Sequence, residues 1–149
     1  NPVTELLLFS AARSQLVAQE VKPLLAKGEI VILDRFYDST TAYQGYGRKS
    51  LPIDDIQQIN EVATHSVTPD LTFYLRLTPK EAANRTEQFE KDRMEQYGDT
   101  FFEQVYQGFE KMAASEKRFV TIPATDTPEE VHRQIMQTIK AHIADGSEP

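Results

Sequence analysis

The chain holds 149 residues, carries a formal net charge of −7 and contains no cysteine. That length suits one domain, residues 1–149, with its own core. The acidic balance argues against broad, sequence-independent nucleic-acid binding, and the lack of thiols excludes disulfides and thiolate metal sites. No apolar run approaches the roughly 20 residues of a membrane span, so a soluble, cytoplasmic protein with neither nucleic acid nor membrane as partner is expected.

Thr4 is a candidate helix cap, and Leu6, Leu7, Phe9, Ala12, Leu16, Val17, Val21 and Leu24 recur with helical spacing after it. A helix is predicted over about 4–26, with Pro23 near its end and Gly28 as its stop. Phe9 and Arg13 are four apart and share a face. An aromatic ring beside a guanidinium suits a nucleobase; the alternative is a core Phe9 with Arg13 as a surface charge.

Glu29-Ile30-Val31-Ile32-Leu33 is short, β-branched and apolar, as a strand buried on both faces should be. It ends in Asp34-Arg35. Ligands of open α/β sheets gather at the carboxyl ends of strands, where a carboxylate can hold a metal-bound water and a guanidinium can fork onto a phosphate. The alternative is a plain Asp34–Arg35 ion pair capping the strand. Residues 36–48 are rich in hydroxyls, amides and aromatics, which suits the wall of a polar pocket. Their first part is compatible with helix, whereas the end containing Gly45 and Gly47 is predicted as loop.

Pro52 opens a helix over 53–65 with an apolar stripe of Ile56, Ile59, Val62 and Ala63. Leu71–Leu77 is a second buried-strand candidate, and a helix follows from near Lys80. Residues 84–96 interleave acid and base with little apolar periodicity and read as exposed and mobile. Arg85 and Arg93 would reach a phosphate if this segment folded over one; a solvated helix face is the alternative. Tyr97–Glu116 returns to helical spacing, with aromatics read as core. Phe119–Ile122 is a third strand, 123–126 a loop, and Thr127, Pro128 and Glu130 form a capping box for a last helix ending near Ala144. This alternation argues for an α/β fold, a parallel sheet flanked by helices on both faces.

Four motifs, taken in order and spacing, resemble the bacterial thymidylate kinase family: Leu8-Phe9-Ser10-Ala11-Ala12-Arg13, Leu33-Asp34-Arg35-Phe36, Ser39-Thr40-Thr41-Ala42-Tyr43-Gln44-Gly45 and Pro69-Asp70-Leu71-Thr72-Phe73-Tyr74-Leu75. The resemblance spans nearly the whole chain. It implies a P-loop nucleoside monophosphate kinase that moves the ATP γ-phosphoryl group to dTMP with Mg²⁺, serves dTTP biosynthesis and forms a homodimer. By the same resemblance, Phe9 stacks on thymine and Arg13 faces a base carbonyl. Thr40 addresses the base edge, while Tyr43 and Gln44 wall the dTMP site. Arg35 contacts the acceptor phosphate and Asp34 the magnesium water shell. Arg85 and Arg93 fall in the lid, a place for a catalytic arginine near ATP, and Pro123-Ala124-Thr125 resembles the adenine loop.

One family feature is missing: G-x-x-x-x-G-K-[ST] occurs nowhere in residues 1–149. The resemblance therefore implies the C-terminal two-thirds of such a kinase, incomplete at the N-terminus, with the central first strand missing. It should be inactive by itself and leave two strand edges unpaired. Two other readings compete. One is a kinase for another pyrimidine monophosphate; the other is a degenerate, non-catalytic module for nucleotide binding or dimerisation.

Overall fold

The computed structural model describes residues 1–86 and 98–145. Its first helix, α1 (Pro2–Leu16), begins two residues ahead of the predicted start, because Asn1 and not Thr4 supplies the cap. The Asn1 side-chain oxygen accepts from the Val3 N–H at 2.9 Å and the Thr4 N–H at 3.4 Å. Helical backbone runs on through a widened π turn (Val17–Val21) into a final turn, α2 (Lys22–Leu25). The widening has a local cause. Pro23 has no N–H, and its ring would crowd the carbonyl four residues earlier in a regular α-helix. Leu6, Ser10, Val17 and Val21 form one narrow buried stripe, whereas Leu7, Leu8 and Leu16 stay largely exposed. At the end, Gly28 has φ +77°, and Glu29 N–H donates to the Leu24 carbonyl at 3.1 Å while Gly28 N–H donates to Leu25 at 2.9 Å. This is the glycine-terminated stop foreseen from the sequence.

Residues 29–33 correct the first expectation: they form no strand. Ile30 and Ile32 are 73% and 83% exposed. A strand exists only through hydrogen bonds to a neighbour, and among the described residues no neighbour pairs with this segment. Among the described residues the sheet contains two strands instead of three. Parallel β1 (Thr72–Arg76) and β2 (Phe119–Pro123) run in register from Thr72↔Phe119 to Arg76↔Pro123.

Residues 36–48 correct a second expectation. A helical turn, α3 (Tyr37–Thr40), passes directly into a π-helical stretch, Thr41–Gly47, so the glycine-rich end is helix and largely buried. The glycines serve close packing here. A Cβ on Gly47 would lie 2.6 Å from Phe101 Cε2 and 2.8 Å from Val105 Cγ2, and one on Gly45 2.8 Å from Ile53 Cδ1. Gly47→Ala is therefore expected to lower stability by about 1–3 kcal/mol. A denaturant melt monitored by circular dichroism checks this, and an unchanged midpoint would refute the tight fit.

Helix α4 (Ile53–Ala63) stops two residues short of the predicted His65, where His65 and Ser66 both take positive φ, 50° and 61°. Its buried face is Ile56, Asn60 and Ala63, while Val62 is exposed. Helix α5 (Pro79–Thr86) opens with a reciprocal capping box. The Thr78 N–H donates to Glu81 Oε2 at 2.8 Å, and the Glu81 N–H donates to Thr78 Oγ1 at 3.3 Å. Helix α6 (Asp99–Ser115) provides the core expected of its aromatics. Phe101, Val105 and Met112 pack with Ala42, flanked by Tyr43, Phe102, Phe109 and Phe119. Phe109 stacks on Tyr74 of β1 at 5.2 Å between centroids. Helix α7 (Pro128–Asp145) packs on β2. Thr127 Oγ1 caps it by accepting from the Glu130 N–H at 3.3 Å, but the Glu130 carboxylate turns to Arg133, so only half of the predicted box forms.

The sheet is tied to α3 through Arg118, which precedes β2. Its guanidinium forks onto Asp38 at 2.6 and 2.8 Å, also bonds Thr72 Oγ1, and lies over the Tyr37 and Phe119 rings. Both partners of the pair are buried. Burial lowers the Arg118 guanidinium, but the Asp38 carboxylate, helped by Tyr37 and Glu116, more than offsets it and holds the group above its ordinary range. This pair fixes where α3 sits relative to the sheet.

Candidate active site

Helix α1 lays Arg13 against the α3 helix. Its Nη2 donates to Thr40 Oγ1 at 2.5 Å and its Nη1 to Asn60 Oδ1 at 3.3 Å, and its guanidinium carbon lies 5.7 Å from the Phe36 ring centre. Burial pulls the Arg13 guanidinium below its usual value, partly countered by the Asp38 carboxylate; it stays charged at any physiological pH. Phe9, one turn earlier, is 53% exposed. Phe9 is therefore not part of the core, where Leu6 is fully buried, and Arg13 is partly buried rather than a free surface charge.

Arg35 comes to the same helix. Its guanidinium carbon is 4.4 Å from the Tyr43 ring centre, and its Nε donates to Ser39 Oγ at 3.2 Å. Among the described residues it makes no ion pair with Asp34, so the plain capping pair does not form. Arg35 also has φ +69°, which costs a non-glycine residue about 1–2 kcal/mol. Strain of this kind persists where the surroundings impose it, as at ligand sites. Tyr43 is held edge-on by Phe101 and Phe109.

Gln44 is buried and commits its amide to α1, donating to Glu5 Oε1 at 3.0 Å, while Arg48 pairs with Glu5 Oε2 at 3.1 Å. Asp34 is exposed at the bend after residue 33. Among the described residues, no cluster of three or more His, Asp or Glu could hold a metal ion. A lone exposed carboxylate does not make a protein-ligated cation site and could meet a cation only through that ion's waters.

The remaining residues leave the carboxyl end of the sheet. Pro123 closes β2 as its last strand residue, slightly longer than predicted. Ala124 is buried, its N–H bonded to the Arg76 carbonyl at 3.0 Å, and Thr125 is exposed. Arg85 is exposed in the last turn of α5, which departs from the same end of β1. Arg93, and most of the predicted lid at 84–96, lie outside the described residues.

Sequence reasoning missed two residues of this constellation. Asn60 is polar and so breaks the apolar stripe, although it stands four after Ile56 and three before Ala63 on the buried face. Phe36 was seen only as the end of a motif.

The sequence profile described as thymidylate kinase matches residues 1–135. Among similar proteins, the thymidylate kinase of Prosthecochloris aestuarii is 47% identical over 150 residues, covering 93% of this chain and 67% of that protein. The chain belongs to the thymidylate kinase family. The thymidylate kinases of Chlorobaculum parvum, 45% identical over 93% of this chain and 69% of its own length, and of Thermoanaerobacter pseudethanolicus, 40% identical over 96% and 70%, agree. Family membership makes this a nucleoside monophosphate kinase, a phosphotransferase of the P-loop fold, and nothing among these matches favours a degenerate module. No helix among the described residues is long and apolar enough to cross a membrane.

Proposed function

We propose that the protein phosphorylates dTMP at the expense of ATP, and that the face formed by α1, Asp34-Arg35 and residues 37–47 is its dTMP site. The observation that carries this is the convergence of two arginines on one helical run, Arg13 at Thr40 and Arg35 at Tyr43, in a chain of the thymidylate kinase family. Arg13 is a donor-only group and so recognises a base carbonyl. Phe9 stacks on the base. Tyr43, braced by two phenylalanines, stands beside the sugar. Arg35 lies loosely on Tyr43 and Ser39, with N–H groups left to fork onto the acceptor phosphate.

Phosphoryl transfer asks for alignment and charge neutralisation more than for covalent help. Arg35 orients the acceptor phosphate, and Asp34 would hold Mg²⁺ through its water shell, the ion supplying positive charge to the nucleotide phosphates. Arg85, exposed in the last turn of α5 at the carboxyl end of β1, is placed to meet the transferred group's charge. Pro123, Ala124 and Thr125 border the adenine. The β- and γ-phosphates need a cradle of the G-x-x-x-x-G-K-[ST] kind, which residues 1–149 do not contain. A homodimer in the cytoplasm, like those of the family, completes the reading.

The test is ADP formation from ATP and Mg²⁺ by the protein produced from its own gene, with dTMP, dUMP, dCMP, UMP and AMP as acceptors. Turnover is expected with a preference for dTMP, and residues 1–149 on their own are expected to turn over nothing. A preference for another acceptor would overturn the assignment.

A further inference from the structure

Asn60 is a polar side chain in a place where α4 should bury an apolar one. It is 3% exposed, and its carboxamide is used at both ends. The Nδ2 group donates to Thr41 Oγ1 at 3.0 Å and to the Tyr37 carbonyl at 3.4 Å. The Oδ1 accepts from Arg13 Nη1 at 3.3 Å. The sense of the amide is fixed by its neighbours: a carbonyl can only accept and a guanidinium can only donate. Turning the amide over would set NH₂ against Arg13 and oxygen against oxygen at Tyr37, leaving buried groups unsatisfied.

Arg13 is therefore held at two points, one on each terminal nitrogen: Nη1 by α4 through Asn60, Nη2 by α3 through Thr40. Two anchors on a planar, rigid fork set its plane as well as its position. A single anchor at Thr40 would leave the guanidinium free to swing about that bond, and the hydrogens not used by the protein would no longer point in one direction.

We propose that Asn60 is a positioning residue for base recognition, acting through Arg13 to decide which pyrimidine edge the site accepts. This rests on the dTMP reading above. With the fork fixed, its free N–H groups meet an oxo group of thymine favourably and oppose the amino group of cytosine, which is itself a donor. With Asn60 removed, the fork can turn away from the amino group, so discrimination should fall further than stability does.

The experiment is calorimetric titration of the protein produced from its own gene with dTMP and with dCMP, for wild type, Asn60→Leu, Asn60→Asp, Arg13→Ala and the double variants N60L/R13A and N60D/R13A. Melting midpoints and the KM for ATP are recorded alongside. Asn60→Leu is expected to weaken dTMP about tenfold and to compress the dTMP-to-dCMP ratio, with the KM for ATP unchanged. Asn60→Asp keeps an acceptor for Arg13 and is expected to restore dTMP binding to near the wild-type value. It should do so even though it loses the Nδ2 donor and melts earlier. In the Arg13→Ala background, Asn60→Leu should change dTMP affinity no further, because its effect runs through Arg13.

Additive losses in the double variant, or Asn60→Asp as defective toward dTMP as Asn60→Leu, would overturn the proposal. If Asn60→Leu does not fold, Asn60→Asp and its double variant decide alone. In that case near-wild-type binding that collapses only with Arg13→Ala supports the role, and lost binding refutes it. A wild-type protein with no preference for dTMP over dCMP would overturn the function reading itself, a result recognisable before any variant is made.

Discussion

Replacing Arg13 with alanine is expected to raise the KM for dTMP by about tenfold to a hundredfold while leaving the KM for ATP where it was. The size follows from losing charge-assisted hydrogen bonds in a partly buried site, each worth about 1.5–3 kcal/mol. The selectivity for one substrate follows from position: Arg13 stands on α1 against Thr40 and Asn60, whereas the loop proposed for adenine leaves the end of β2. Arg13→Lys should behave much like Arg13→Ala, because one ammonium cannot reproduce a fork held on two nitrogens. The alanine variant also strands the Asn60 oxygen, so a loss of about 1–2 kcal/mol of stability should accompany it. Steady-state kinetics with each substrate varied in turn checks the first effect, and a thermal melt the second. An equal rise in both KM values would place Arg13 outside the base site.

The largest effect on stability is expected from Asp38→Ala. The substitution leaves the Arg118 guanidinium, 9% exposed at its side chain, without its forked partner. Removing one member of a buried pair typically costs about 3–5 kcal/mol, because the surviving charge stays desolvated. Glu116 Oε2 remains 2.6 Å from Arg118 Nη2, on a carboxylate 39% exposed, so the lower end of that range applies. For a chain of this size the midpoint should fall by about 10 °C. Substituting both partners together, Asp38→Leu with Arg118→Met, should recover much of the loss, since an apolar pair avoids the desolvation of either charge. A melt of the single and double variants separates the two outcomes; a single variant within about 1 kcal/mol of wild type would show that Arg118 is served well enough by Glu116 and Thr72.

The pattern of agreement and disagreement with the sequence reading has physical causes. Helices α4, α6 and α7 were legible because their apolar residues recur at a period that one segment can satisfy alone. Residues 29–33 have the composition of a buried strand and are not one, because strand formation depends on a partner that local pattern does not reveal. Gly45 and Gly47 read as breakers, yet they sit in helix. What selects glycine there is the nearness of Ile53, Phe101 and Val105, contacts set by tertiary packing. In the site, Arg13 and Arg35 stand out by residue type and spacing, Thr40 and Tyr43 by motif resemblance, and the structure sets the two arginines against Thr40 and Tyr43 of one helical run. Asn60 stayed hidden because a buried amide is worth its place only when its partners, 19 to 47 residues away along the chain, are already in position.

The π turn at Val17–Val21 bears on how this chain tolerates changes in length. A π turn is what an α-helix makes of one surplus residue. Because the π turn already absorbs that surplus, deleting a residue there would leave the stretches on either side close to their present relative rotation. Phe9 and Arg13 would stay on the face that meets Thr40 and Asn60. Pro23 would remain, its ring now pressed on the carbonyl four residues earlier. A single-codon loss at this point is thus expected to lower stability and to leave the hold on the base nearly unchanged.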